Sequence, residues 1–204
     1  MEYKVYNATM VDEDCGLEVV SLVENPAVEV DFFAFNNEQP QELYFRDEVE
    51  HCITGVALRA DTPIYRNNIN GAPGYIVFTR DFIKELVIKY SKDQRLNNVS
   101  LNHDGNNVSN CFFYESYIID EEKGIKPTQF KDIPNGSWVV SFKIDNPDVW
   151  EAIVNKDVKG FSIEGLFGFE EAKLQKEQSM EEFIDELLFS VSDNQLIKAC
   201  KENE

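Results

Sequence analysis

Histidine is scarce in this chain of 204 residues, which holds His51 and His103 and no other. A histidine-rich metal site is thereby excluded, and any chemistry that needs an imidazole base has two residues to draw on. Cysteine is also sparse. Cys15, Cys52, Cys111 and Cys200 are widely separated and form no Cys-x-x-Cys pair, which disfavours a zinc ligand set and favours reduced thiols acting as small hydrophobes. No apolar run approaches the roughly 18 to 20 residues needed to cross a bilayer. The opening stretch "MEYKVYNATM" lacks the basic and apolar regions of a signal peptide, so the expected compartment is a cytosol. Basic residues are few, with 19 Lys and Arg against 38 Asp and Glu and a net charge of −19. Affinity for a phosphate backbone comes from Lys and Arg neutralising phosphates, so nucleic acid is not an expected partner, and neither is a membrane. An acidic surface suits solubility and basic partners equally well.

What is present is enough apolar material for a core, at 43% hydrophobic and 12% aromatic residues, so global disorder is excluded. Short β-rich runs dominate the first two-thirds: Tyr3 to Met10, Glu18 to Val23, Val28 to Phe35, Glu50 to Leu58, Tyr75 to Phe78, Val99 to His103, Phe112 to Ile119, Trp138 to Ile144 and Gly160 to Phe169. A polar break falls at Asn36 to Gln41. Two helices interrupt the strands. Thr79 caps one whose Phe82, Ile83, Leu86, Val87 and Tyr90 share a face; Asn146 caps another that begins at Pro147 and turns Val149, Trp150 and Ile153 inward. The reading is an α+β, β-rich fold, a barrel or sandwich rather than a doubly wound sheet. After Phe169 the chain turns polar and acidic. Ser179 with Glu182, and Ser192 with Gln195, have the spacing of capping boxes, which predicts two short amphipathic helices over Ser179 to Lys201. The expected division is a domain over 1–169 and an acidic linker with helices over 170–204.

The residues that could carry chemistry are few. In "VKGFSIEGLF", Gly160, Ser162 and Gly165 read G-x-S-x-x-G, one residue too long for the G-x-S-x-G elbow of α/β-hydrolases. Alternation places Phe161, Ile163 and Phe167 on one strand face and Gly160, Ser162, Glu164 and Leu166 on the other. From this window alone, a small residue at a tight packing position is the stronger account of Ser162. His51 stands among acids at a strand start and reads as a surface residue. His103 follows Val99 and Leu101 by alternation, so its imidazole is expected to point inward ahead of an Asn- and Gly-rich loop. A half-buried, hydrogen-bonded histidine is the commoner outcome there; a general base is the other. Glu115, inside the apolar "CFFYESYIID", needs a partner if buried, and it is the choice for orienting His103, as the acid of a catalytic triad does. Glu164 competes for that role, being two residues from Ser162 on the same face.

Taken in order, "SLVENPAVEVDFF", "GVALRADTPIYR", "NNVSLNHD", "ESYIID", "GSWVVSFKIDNPDVWEAI" and "VKGFSIEGLF" resemble the blocks of XkdF-type phage proteins, serine proteases of the prohead class, over roughly Val19 to Phe169. The resemblance implies an assemblin-like β-barrel with peripheral helices, to which the C-terminal helices would be an added tail. It implies His103 as base, Ser162 as nucleophile, no cofactor or metal, and action on phage capsid and scaffold proteins inside the procapsid in the host cytoplasm. Self-cleavage and self-association as a dimer belong to the same expectation. A block of the type S-L-V-x-x-P-A follows the serine in several such proteases but precedes it here, so the third residue stays open between Glu115 and Glu164. The alternative function is a catalytically inactive assembly factor with the same fold; a hydrolase of another substrate is a weaker third.

Overall fold

The computed structural model describes residues 3–24, 44–47 and 50–172, with the backbone alone for 44–47. The expected strand at Val28 to Phe35, the break at Asn36 to Gln41 and the helices of Ser179 to Lys201 lie outside these residues. The elements below all belong to the unit Met1–Glu171.

Strand β1 (Lys4–Thr9) and strand β2 (Gly16–Val23) open the chain; β3 (Tyr44–Asp47), β4 (Cys52–Leu58), β5 (Pro63–Ile69) and β6 (Ala72–Val77) follow. Helix α1 (Arg80–Lys92) leads to β7 (Val99–Leu101) and β8 (Cys111–Ile118), and a 3-10 turn at Thr128–Phe130 precedes β9 (Trp138–Ile144). Helix α2 (Pro147–Val154), β10 (Gly160–Leu166) and β11 (Gly168–Glu171) complete the unit. β11 runs through Glu170 and Glu171, which pair with Asn7 and Tyr6 of β1, so the acidic stretch begins inside the sheet rather than after it.

Both helix starts form as their sequences dictate. The Thr79 hydroxyl accepts from the Phe82 N–H at 3.3 Å, and the Asn146 side chain accepts from the N–H groups of Asp148 and Val149 with Pro147 in the first turn. α1 buries Phe82, Ile83, Leu86 and Tyr90, and Phe82, Ile83 and Leu86 each contribute about 1.5–3 kcal/mol by leaving water. Trp150 of α2 is half-buried instead of filling the core, and its ring stacks on His51 at 4.3 Å. The hairpin joining β5 to β6 turns at Asn70-Gly71, both at positive φ, the conformation that a two-residue hairpin needs and Asn-Gly supplies.

The strands form three sheets, ordered β11-β1-β6-β5, β10-β2-β7 and β3-β4-β9-β8. The expected closed barrel is not what the described residues build. A barrel needs an unbroken ladder, but β10 lies alongside β4 without pairing with it and ends its own sheet. The β-rich α+β class stands; among the described residues the barrel does not close. Strand β9 carries the core on both faces. Trp138, Val140, Phe142 and Ile144 join the main cluster with Leu22, Leu86, Tyr90 and Phe161, while Val139 packs with Val56, Ile119, Phe130 and Ile133 behind it. Cys15 and Cys111 are buried free thiols, and burial followed by the nearby Asp145 pushes the Cys111 thiol up to about 11.

The ladder between β10 and β2 shifts between Glu164 and Gly165. A Cβ added at Gly165 would stand 2.2 Å from the carbonyl oxygen of Gly16, so the second glycine of the G-x-S-x-x-G window is there to let two backbones meet. The chain then crosses to the β11 sheet at Phe167, whose ring packs edge-on against Phe78 at 5.6 Å and Phe82 at 6.4 Å. Replacing Gly165 by Ala is expected to lower stability by about 1–3 kcal/mol, the cost of overpacking against backbone; urea unfolding of Gly165→Ala beside the wild type measures it, and an unchanged midpoint would refute the close approach.

Candidate active site

Sheet β10-β2-β7 builds the site from one row of serines. Ser162 of β10 pairs with Ser21 of β2, and Ser21 with Ser100 of β7. Paired residues of neighbouring strands project to the same side of a sheet, so the three hydroxyls share one face, with Glu164 two residues beyond Ser162. All three serines are buried, Ser162 at 8% exposure and the others at 2% or less. The order of apolar, serine, apolar recurs as Val20-Ser21-Leu22, Val99-Ser100-Leu101 and Phe161-Ser162-Ile163, and the first two tripeptides are identical and pair residue for residue.

His103 does not sit where alternation places it. β7 ends at Leu101, and the chain reverses in a turn in which Asn102 and His103 both take positive φ and the Asp104 N–H returns to the Leu101 carbonyl at 3.1 Å. Asn102 ties this turn to the end of β2: its N–H donates to the Leu22 carbonyl at 2.8 Å, and its side chain accepts from the Glu24 N–H at 2.8 Å. Asparagine and histidine are among the residues that tolerate this left-handed backbone. The reversal carries the imidazole out of the core, with its side chain 42% exposed, and over to the Ser100 side of the sheet, where Nδ1 stands 3.1 Å from Oε1 of Glu164.

Glu164 is the centre of the hydrogen bonding. The same Oε1 accepts from the Ser100 hydroxyl at 2.6 Å and from the Ser21 hydroxyl. Burial raises the carboxyl, but hydrogen bonds from Ser100, Ser21 and His103 outweigh it and hold Glu164 below the usual carboxylate range. Ser162 and His103 line the same cleft, without a hydrogen bond between them. That cleft has a volume of about 440 Å³, and its floor is apolar, formed by Ile64, Ile76, Phe78, Phe167 and Phe169.

Glu115 is elsewhere. It lies exposed on β8, in the sheet of β3, β4 and β9, and accepts from the Ser141 hydroxyl at 3.1 Å. The expected contact between Glu115 and His103 is therefore replaced by one from Glu164. A ladder shift between Phe113 and Glu115 puts its carboxylate on the solvent side, where it needs no buried partner. The structure thus brings together Ser162, His103 and Glu164 and leaves Glu115 out. Ser21 and Ser100 were passed over in the sequence. The signal was there in a polar residue set inside each of two apolar strand triplets, since a buried hydroxyl requires a partner. Among the described residues, no helix is long and apolar enough to cross a membrane.

A family model described as "Putative phage serine protease XkdF" matches residues 46–171. A search of curated proteins and of solved structures returns no match. The matched segment carries Ser162, His103, Glu164 and Ser100, while β2 with Ser21 lies ahead of it.

Because the folded carboxyl of Glu164 is depressed, its ionisation stabilises the folded state at pH values above the ordinary carboxylate value of 4.5, and that stabilisation is lost as pH falls through the lower folded value. Stepwise acidification in urea-unfolding experiments should therefore cost the wild type stability below pH 4.5 relative to Glu164→Gln. A constant difference between the two proteins across that window would contradict the depressed carboxyl.

Proposed function

The chain belongs to the family of the putative phage serine protease XkdF, and on that premise we propose that it is a serine endopeptidase of phage prohead maturation. Its substrates in this reading are segments of scaffold and capsid protein, cut inside the procapsid in the host cytoplasm, and its own chain is a further candidate substrate. The observation that carries the reading is the 3.1 Å contact of His103 Nδ1 with Glu164 Oε1 in the cleft that Ser162 also lines.

The geometry supports one division of labour. Glu164 accepts the Nδ1 proton, which leaves Nε2 as the basic nitrogen of a neutral imidazole. Nε2 takes the Ser162 hydroxyl proton while Oγ forms a bond to the scissile carbonyl carbon, giving a tetrahedral intermediate. His103 then returns the proton to the departing amine as the carbon–nitrogen bond breaks, leaving an ester on Ser162. Water, deprotonated by the same Nε2, attacks the ester; its carbon–oxygen bond breaks as His103 returns the proton to Ser162 Oγ, releasing the new carboxyl terminus. The bond between nucleophile and base is often long before substrate arrives and tightens in the complex, which is compatible with its absence here. Glu164, half-buried among hydroxyls, supports the imidazolium that forms at each proton transfer, a role that solvent-facing Glu115 does not reach.

Co-expression with the phage's own scaffold and capsid proteins tests this. Ser162→Ala and His103→Ala should abolish processing, and Glu164→Gln should reduce it by a factor on the order of 10³ to 10⁴, as loss of the orienting carboxylate does in other triads. Glu115→Gln should process normally. Intact processing by Ser162→Ala would overturn the protease reading and leave an assembly factor; loss with Glu115→Gln but not Glu164→Gln would overturn the choice of acid.

A further inference from the structure

Oε1 of Glu164, Oγ of Ser21 and Oγ of Ser100 form a closed triangle. Ser100 lies 2.6 Å from Glu164 and 2.7 Å from Ser21, and Ser21 to Glu164 is the third hydrogen-bonded side. The two hydroxyls bring two protons to these three sides. With Glu164 ionised, one side has none. A carboxylate is the stronger acceptor, since a charge-assisted hydrogen bond is about twice as strong as a neutral one, so the side without a proton is the one between the serines. The 2.7 Å between the serine oxygens is also an ordinary O–H···O distance, so proton position is what separates the two arrangements. Both serines are buried, at 0% and 2% exposure, so a partner inside the protein is what each hydroxyl requires. Strand register leaves them little freedom to look elsewhere.

We propose that Ser21 and Ser100 are positioning residues, both donating to Oε1 of Glu164 and so holding that oxygen against Nδ1 of His103. The consequence for the reaction rests on the endopeptidase reading above; the placement of the protons does not. Arg66 is the one further charged side chain among the residues that line the cleft, and the groups that face the Glu164 carboxylate are Ser21, Ser100 and His103. β2 thereby contributes to the site although it precedes the segment that matches the family.

Neutron diffraction from deuterated crystals of the full chain at neutral pH locates the two hydroxyl deuterons in the wild type. Both are expected on the lines from Oγ to Oε1, and a deuteron between the two serine oxygens overturns the proposal. In solution, Ser21→Ala and Ser100→Ala should each let the Glu164 carboxyl carbon, assigned by comparison with Glu164→Gln, titrate at higher pH than in the wild type. On a peptide spanning a mapped cleavage site, each should lower kcat about tenfold, a small part of what general acid–base catalysis supplies, with KM little changed. An unchanged Glu164 titration in both folded variants overturns the positioning role. If Ser162→Ala retains processing, the protease reading falls by itself, and the deuteron positions still decide the hydrogen bonding.

Discussion

One carboxylate oxygen holds the candidate site together. Oε1 of Glu164, on β10, meets donors from β2 and from β7 with the turn that follows it, segments distant from one another in sequence. Each of those donors is aimed by backbone rather than by its own side chain: Ser21 and Ser100 by strand register, His103 by a left-handed turn that Asn102 fastens to β2. Partial burial alone raises this carboxyl, and the hydrogen bonds from these partners outweigh that cost. With them it stays ionised and fixed, and the imidazole is fixed by it.

That arrangement makes β2 the organising strand. It is the centre of its sheet, antiparallel to β10 on one side and parallel to β7 on the other. Its Ser21 stands between Ser162 and Ser100, and its end receives the Asn102 turn. At its other end the Gly16 carbonyl presses against Gly165, where the ladder shifts and β10 passes toward Phe167 and the next sheet. The apolar floor of the cleft comes from β5, β6 and the aromatic residues around that crossing. The polar head of the site and its apolar floor thus belong to different sheets, and β10 with its continuation joins them.

Much of the fold was readable along the chain. Both helix caps, the inward faces of α1 and the strand at Trp138 to Ile144 follow from local rules, because capping and periodicity act over a few residues. The strand β5 was missed although Asn70-Gly71 announced its hairpin, since "PIYRNNI" mixes polar and apolar residues without clean alternation. Of the candidate site, the scarcity of histidine singles out His103, while Ser162 becomes a candidate through the resemblance, its own window favouring packing. The choice of Glu115 went astray because an acid in an aromatic run looks buried, whereas the ladder shift before Glu115 turns it to solvent. The inward aim of His103 failed at Asn102, where alternation ended.

The sequence by itself determined the scarce chemistry: two histidines to choose between, a serine among small and apolar neighbours, a surplus of acid, and strands enough for a β-rich core. Those are properties of residue type and of near neighbours. Which acid serves His103 was decided only by the tertiary structure. Glu115 and Glu164 are both carboxylates on strands, and their near neighbours point both ways: an aromatic run around Glu115, and Ser162 two residues from Glu164. The difference is made by pairing between segments some eighty residues apart, which sets Ser21 beside Ser100 and brings His103 over the face that Glu164 occupies. Register across a sheet is a long-range property, and here it selects the acid.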